Sequence, residues 1–171
     1  RRPLDLQWLK NYWNEKKKFG TASEMMEENI NKKLQDWKSR RKEYSSMSLD
    51  KARLGAEDVA AALVLGQLSE VLLPEAGEGP DALIPKEALK GWTNQDIEEI
   101  LNLPIFDEAT YGRVRFHHRD IREYLTASWM NRLIKAGCPP KIMQETVIKE
   151  SFEKSVVVPG MEGVLGWLAG F

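Results

Sequence analysis

The chain contains little histidine and almost no cysteine. Its 171 residues include one cysteine, Cys138, and two histidines, His117 and His118. A single cysteine excludes an internal disulfide and a zinc site built from several cysteines. Neighbouring side chains on a strand point to opposite faces, so the adjacent histidines are poorly placed to bind one metal ion together. We therefore expect no metal site.

Long apolar runs and a surplus of one charge are also missing. No apolar run approaches the roughly 20 residues that span a bilayer, and no signal peptide opens the chain. Lys plus Arg (25) nearly cancels Asp plus Glu (26), a balance that gives little general attraction to nucleic acid. We expect a cytoplasmic protein with no membrane contact, for which a nucleic-acid partner is not favoured.

The common catalytic motifs are absent from the sequence as well. There is no Gly-rich loop ending in Lys-Ser/Thr to wrap a triphosphate, and no Gly-x-Ser-x-Gly motif. The paired carboxylates, Asp107 with Glu108 and Glu98 with Glu99, are adjacent residues, which does not direct both at one substrate. The chain by itself is predicted not to be an enzyme and to hold no catalytic residue.

Helical patterns dominate the first third of the chain. Pro3 fits the first turn of a helix. Thr21 and Glu24 have the spacing of a capping box, which predicts a second helix that reaches about Glu43. A third helix is predicted over about 48–65, with small residues on its inner face.

Shorter elements follow the third helix. The sequence predicts, in order, an extended segment at Val71–Leu73, a brief helix over 85–89, another helix capped by Thr93, and a two-stranded hairpin of Ile105–Phe106 and Val114–Phe116. Short helices followed by a small hairpin give the outline of a winged helix.

The pattern changes period in the middle of the chain. Val114 and Phe116 alternate with charged residues, as in a half-buried strand. Beyond His118, apolar residues recur every four positions, which predicts a helix from Arg119 to about Lys135. His118 therefore lies at or just before a helix start, where unpaired N–H groups and the helix dipole favour an anion. An imidazole at this position is suited to contact with a phosphate.

These elements predict a mainly α fold in three parts. A helical lid occupies 1–45, a winged-helix-like domain with a small hairpin occupies 46–137, and the start of a C-terminal helical tail occupies 138–171. The tail is predicted to contain a helix that includes Val147 and Ile148, and a second helix beginning near Gly160. Both ends of the sequence are typical of a fragment of a longer chain.

The segment from Arg115 to Ala127 resembles the winged-helix region of STAND-class signalling NTPases, in particular the NACHT-like branch and large bacterial sensors, some of them antiviral. The residues that carry the resemblance are Phe116, His118, Arg119, Glu123, Tyr124, Leu125 and Ala127. The resemblance implies that His118 contacts the β-phosphate of bound ADP and that Arg119 is also a nucleotide-binding residue. It also implies that Pro3, which matches a proline at the start of the lid helix, packs near the adenine.

The resemblance further implies a regulatory, non-catalytic role in signal transduction. Exchange of ADP for ATP would release the winged helix and expose surfaces through which the parent protein forms a homo-oligomer. ADP or ATP with Mg²⁺ would be held mainly by a nucleotide-binding domain of the same chain, making the parent an ATPase, and this fragment alone would bind nucleotide weakly. Asp120 departs from the family pattern, in which serine or threonine is common.

Two other functions are compatible with the sequence. A winged-helix DNA-binding module would use Arg113, Arg115, Arg119 and Arg122 to contact phosphates. Alternatively, the helical tail could serve a protein-interaction scaffold with an exposed tryptophan as its anchor.

Overall fold

A computed structural model of the chain describes residues 3–18, 20–40, 47–76, 79–151 and 154–171. Within these ranges the chain is mainly helical with a small antiparallel sheet, as the sequence predicted, and it also contains a second antiparallel sheet of two strands. The helices are α1 (Pro3–Lys16), α2 (Ala22–Arg40), α3 (Leu49–Leu65), α4 (Pro85–Ala88), α5 (Asn94–Leu101), α6 (Arg119–Lys135), α7 (Pro140–Val147) and α8 (Glu162–Leu168). The strands are β1 (Val71–Leu72), β2 (Phe106–Glu108), β3 (Arg113–Phe116), β4 (Ile148–Ser151) and β5 (Lys154–Val157). The predicted helix end near Glu43 lies outside the described residues.

Side-chain caps fix where several helices begin. The Ser48 hydroxyl accepts the N–H of Lys51 at 3.1 Å and opens α3. The capping box predicted at Thr21 is confirmed, because Thr21 and Glu24 bond reciprocally at 2.7 and 3.1 Å. Thr93 opens α5 with a second capping box. Each cap satisfies backbone N–H groups that a helix leaves unpaired and typically stabilises it by about 1 kcal/mol.

The middle of the chain has the arrangement of a winged helix. Its elements run α3, β1, α4, α5, β2, β3, and the strands form one antiparallel sheet in the order β1–β3–β2. The predicted hairpin is present, with Phe106 opposite Phe116. The extended segment at Val71 is a third strand of the same sheet, with Val71 opposite Val114.

One apolar core joins the winged helix to the second helix of the predicted lid. The inner face of α2 contributes four buried side chains to this core: Met26, Ile30, Leu34 and Trp37. They pack with buried residues of α3, α5, the three-stranded sheet and α6. The predicted boundary near residue 45 thus does not separate two hydrophobic cores; the division into domains itself stays a prediction.

The C-terminal part contains a hairpin that the sequence did not predict. Helix α7 ends at Val147, and Ile148 begins β4, where it lies opposite Val157 of β5. The prediction that Ile148 is helical was wrong, because β-branched residues also suit a strand and a partner strand was available. Helix α8 packs on α6 through a second buried cluster: Ala127, Met130, Met143, Val147, Met161 and Val164. In the described residues no helix has the length and apolar character needed to cross a membrane.

The turn between β2 and β3 places two successive residues at positive φ, Tyr111 at 58° and Gly112 at 70°. Tyr111 is 92% exposed, so its side chain contributes little packing to offset this conformation. A Cβ added to Gly112 would lie 2.7 Å from the Cβ of Ala76. The turn therefore requires glycine at the second position and is disfavoured for tyrosine at the first.

We expect Gly112→Ala to lower the free energy of unfolding by more than about 1 kcal/mol, through backbone strain and the clash with Ala76. Tyr111→Asn should raise it by about 0.5 kcal/mol, because asparagine tolerates positive φ. Urea denaturation of the two variants checks both signs. Equal effects of the two substitutions would contradict this account of the turn.

Candidate functional site

His118 is the N-cap residue of α6, where the sequence placed it. Its Nδ1 accepts the backbone N–H of Asp120 at 3.1 Å. A nitrogen that accepts a hydrogen bond carries no proton, so the neutral ring holds its proton on Nε2. The side chain is 21% exposed. The cap thus fixes the orientation of the ring and makes Nε2 its donor atom.

Carboxylates lie close to the same helix start. Asp120 Oδ2 is 3.4 Å from His118 Nδ1, a contact that is attractive only when the ring is protonated. The shorter bond from the Asp120 N–H defines the neutral ring instead. His118 Nδ1 already accepts one of the first N–H groups of α6, and Asp120 adds a negative charge. This helix end therefore attracts an anion less than an uncapped helix end does.

Arg119 is bonded to a nearly buried carboxylate. Its Nε donates to Glu123 Oε1 at 2.5 Å, and this hydrogen bond, followed by the charge of Glu123, raises the pKa of the Arg119 guanidinium. Glu123 is 5% exposed and lies against α8, where a Cβ added to Gly163 would be 2.2 Å from Glu123 Oε2. Arg119 is thus paired within α6 to a carboxylate that faces the tail helix.

The other predicted site residues are placed as follows. Pro3 is the first residue of α1, as predicted, and α1 packs on α2. Its side chain lies outside the described part, so its contact with adenine stays a prediction. His117 Nδ1 lies 2.9 Å from Asp107 Oδ2, so the two histidines face different partners. No group of three or more potential metal ligands occurs among the residues that the structure describes.

Three of the four arginines that a DNA-binding module would use form ion pairs or hydrogen bonds within the chain. Arg113 pairs with Glu70 at 3.0 Å, and Arg119 pairs with Glu123. Arg122 is half-buried and donates to the carbonyl of Leu68 at 3.3 Å, and burial lowers the pKa of its guanidinium. Neutralised or buried guanidinium groups contribute little to phosphate binding, which weakens the DNA-binding alternative.

The chain should therefore not retard a short DNA duplex in a gel-shift assay at physiological salt. The physical reason is that three of the four arginines, Arg113, Arg119 and Arg122, are paired with carboxylates of the protein or half-buried. Retardation that weakens with added salt and is lost in Arg115→Gln, the exposed member of the group, would instead support a DNA-binding module.

A buried charge network, which the sequence analysis missed, connects α2, α3 and α6. At its centre is Glu57, which is 4% exposed. One of its oxygens accepts from Arg53 Nε at 3.1 Å and from the Ser128 hydroxyl at 2.6 Å, and the other accepts from Arg132 Nε at 3.1 Å. Arg53 and Glu57 have the i, i+4 spacing of a surface ion pair, so the sequence signal was present but ambiguous.

Tyr124 extends this network to the tail. Its hydroxyl donates to Glu27 Oε2 of α2 at 2.9 Å, and Arg53 Nη2 donates to the same oxygen at 2.8 Å. The ring centroid of Tyr124 is 5.4 Å from that of Trp167 and 5.3 Å from that of Phe171. Burial and then the Glu27 carboxylate raise the pKa of Tyr124 well above its ordinary value. The hydroxyl is therefore a stable donor at any physiological pH.

Glu57→Gln should lower the free energy of unfolding by about 2 kcal/mol, because it removes the buried charge between Arg53 and Arg132 and leaves them only Glu27 and Asp58 as carboxylate partners. Urea denaturation measures this loss. Glu98→Gln on the exposed face of α5 is the matched control and should change stability by less than about 0.5 kcal/mol. Similar losses in the two variants would show that the network does not stabilise the packing of α3 and α6.

Comparison with known proteins identifies no relative of this chain. No protein-family model, curated protein or solved structure matches the chain at a significant level.

Proposed function

We propose that the chain is the regulatory, non-catalytic segment of a STAND-class, NACHT-like signalling NTPase, in which it distinguishes bound ADP from ATP. The observation that carries the proposal is the position of His118 at the junction of β3 and α6 in a winged helix. The bond from the Asp120 N–H to Nδ1 orients the ring and leaves Nε2 as the donor. An imidazole N–H is a hydrogen-bond donor that suits a phosphate oxygen.

The energy of such a contact is sufficient for a switch. A hydrogen bond to a charged group contributes about 1.5–3 kcal/mol, which shifts an equilibrium ten-fold or more. In this proposal ADP or ATP with Mg²⁺ is bound mainly by the nucleotide-binding domain of a longer chain, and His118 adds one contact that is made only in the resting state. Loss of that contact shifts the population towards the active state.

In this proposal the carboxylate of Asp120 makes the site favour ADP over ATP. Asp120 Oδ2 lies 3.4 Å from His118 Nδ1, so further negative charge brought to His118 meets repulsion. ADP carries less negative charge than ATP. A site that combines one neutral donor with a carboxylate therefore supports a resting state that holds the diphosphate and yields to the triphosphate.

We also propose how the longer parent protein acts and where it is located. Release of the winged helix exposes surfaces for a homo-oligomer, and the parent is an ATPase with a signalling, antiviral role. The single cysteine, Cys138, is a free thiol, which suits the reducing cytoplasm.

The test compares two adjacent histidines in a longer protein that includes the nucleotide-binding domain. His118→Ala should speed ADP release at least ten-fold and raise basal activity, because the resting state loses its phosphate contact. His117→Ala is the matched control, since His117 faces Asp107, and should leave both unchanged. Unchanged ADP retention and unchanged basal activity in His118→Ala would overturn the proposal.

A further inference from the structure

We propose that the open edge of β5 pairs with the same edge in a second copy of this chain, so that two β4–β5 hairpins form one four-stranded antiparallel sheet. The choice of a second copy rests on the proposed function, in which the parent forms a homo-oligomer. The open edge and the register of the pairing follow from this chain alone.

The β4–β5 hairpin is a sheet of only two strands. Such a pair is marginally stable in water unless a helix or a further strand packs with it. The base of the hairpin is held by the tail, because Ile148 and Val158 pack against the second buried cluster. All four residues of β5 are exposed, and Val156 and Val157 expose 42% and 38% of their surface. Among the described elements, β5 therefore has a partner strand on one edge only.

The hydrogen bonds of the hairpin show which backbone groups lie at the open edge. The N–H of Val158 donates to the carbonyl of Val147 at 2.9 Å, one step beyond the pair of Ile148 with Val157. Successive residues of an antiparallel strand direct their N–H and C=O groups to alternate sides. Val156 therefore bonds towards β4, whereas Ser155 and Val157 direct their backbone groups to the open edge.

A two-fold axis between two antiparallel strands places one residue opposite its own copy. With Val156 on the axis, Ser155 of each copy lies opposite Val157 of the other, and both pairs exchange backbone hydrogen bonds. The Val156 side chains then meet in a non-hydrogen-bonded pair, where side chains are closest. With Val157 on the axis, Ser155 would instead face Pro159, which has no N–H to donate. The backbone thus favours the register centred on Val156.

Charge distinguishes β5 from β4 as the edge for this pairing. A two-fold register centred on either charged residue of β4 would place Lys149 opposite Lys149 or Glu150 opposite Glu150, and like charges directly opposite are destabilising. On β5 the one charged residue, Lys154, lies opposite the uncharged Val158 of the second copy. The edge of β5 is therefore compatible with its own copy, whereas that of β4 is not.

Sedimentation equilibrium of the 171-residue chain tests the pairing. The paired edge is short, so we expect a weak dimer whose fraction rises with protein concentration. Val156→Glu places two carboxylates opposite each other at the axis and should weaken the dimer at least about ten-fold. Within the chain the new carboxylate lies opposite Lys149, so the hairpin itself is kept.

Ile142→Glu is the matched control, because Ile142 is a half-exposed apolar residue of α7, outside the strand. It should leave the dimer unchanged. The proposal is overturned if the unsubstituted chain stays monomeric at every concentration, or if the two substitutions have the same effect on the dimer.

Disulfide trapping tests the register. Cys138→Ser removes the only cysteine of the chain, and one cysteine is then added to β5. Val156→Cys sets the two Cα atoms about 4.5 Å apart across the axis, within the range of a disulfide. Ser155→Cys sets them about 8 Å apart, beyond that range, because the two copies are displaced by two residues along the strands. Mild oxidation should therefore link Val156→Cys alone, and equal linking of both variants would overturn the proposal.

These outcomes are separate from the nucleotide test. If His118→Ala releases ADP but the chain stays monomeric, the switch stands and the pairing of β5 fails. If β5 pairs in this register but His118→Ala leaves ADP retention unchanged, the pairing stands and the switch fails.

Discussion

The packing of α6 on α3 depends on the buried carboxylate of Glu57, held between the guanidinium groups of Arg53 and Arg132. Removal of a carboxylate from water costs several kcal/mol, and here two cations and the hydroxyl of Ser128 offset that cost. Sliding of α6 along α3 is opposed, because it would separate Arg132 and Ser128 from Glu57 and leave the buried carboxylate with Arg53 alone. Apolar side chains supply most of the burial, but the network fixes the alignment of the helices.

Because α6 is held along its length, a displacement of its first residues is transmitted to its last turn. The helix has 17 residues, a length of about 25 Å. His118 caps the start, Tyr124 lies two turns further on, and Arg132 bonds to α3 near the end. A force on His118 therefore acts on the whole winged helix, and through Tyr124 on α2 and α8, rather than on a local loop.

Local signals were sufficient to predict the helices and the position of His118, because caps and apolar periodicity depend on residues close in sequence. Ser48 and Thr93 open helices where the sequence placed them. The third strand at Val71 and the hairpin at Ile148 depend on pairing with distant residues, which no local pattern specifies. The Glu57 network was missed for the same reason, because its partner Arg132 lies on another helix.

The bonding partner of Arg119, next to His118, is determined by the fold and differs from the partner that the sequence motif indicates. The resemblance implies that Arg119 binds the nucleotide, yet Arg119 bonds to Glu123, a nearly buried carboxylate that lies against Gly163 of α8. An anion that drew Arg119 away would leave this carboxylate without its cation, so the bond to Glu123 competes with any anion at the start of α6. Whether an arginine next to a cap residue is available to a ligand depends on the contacts that the fold gives it, which the motif does not specify.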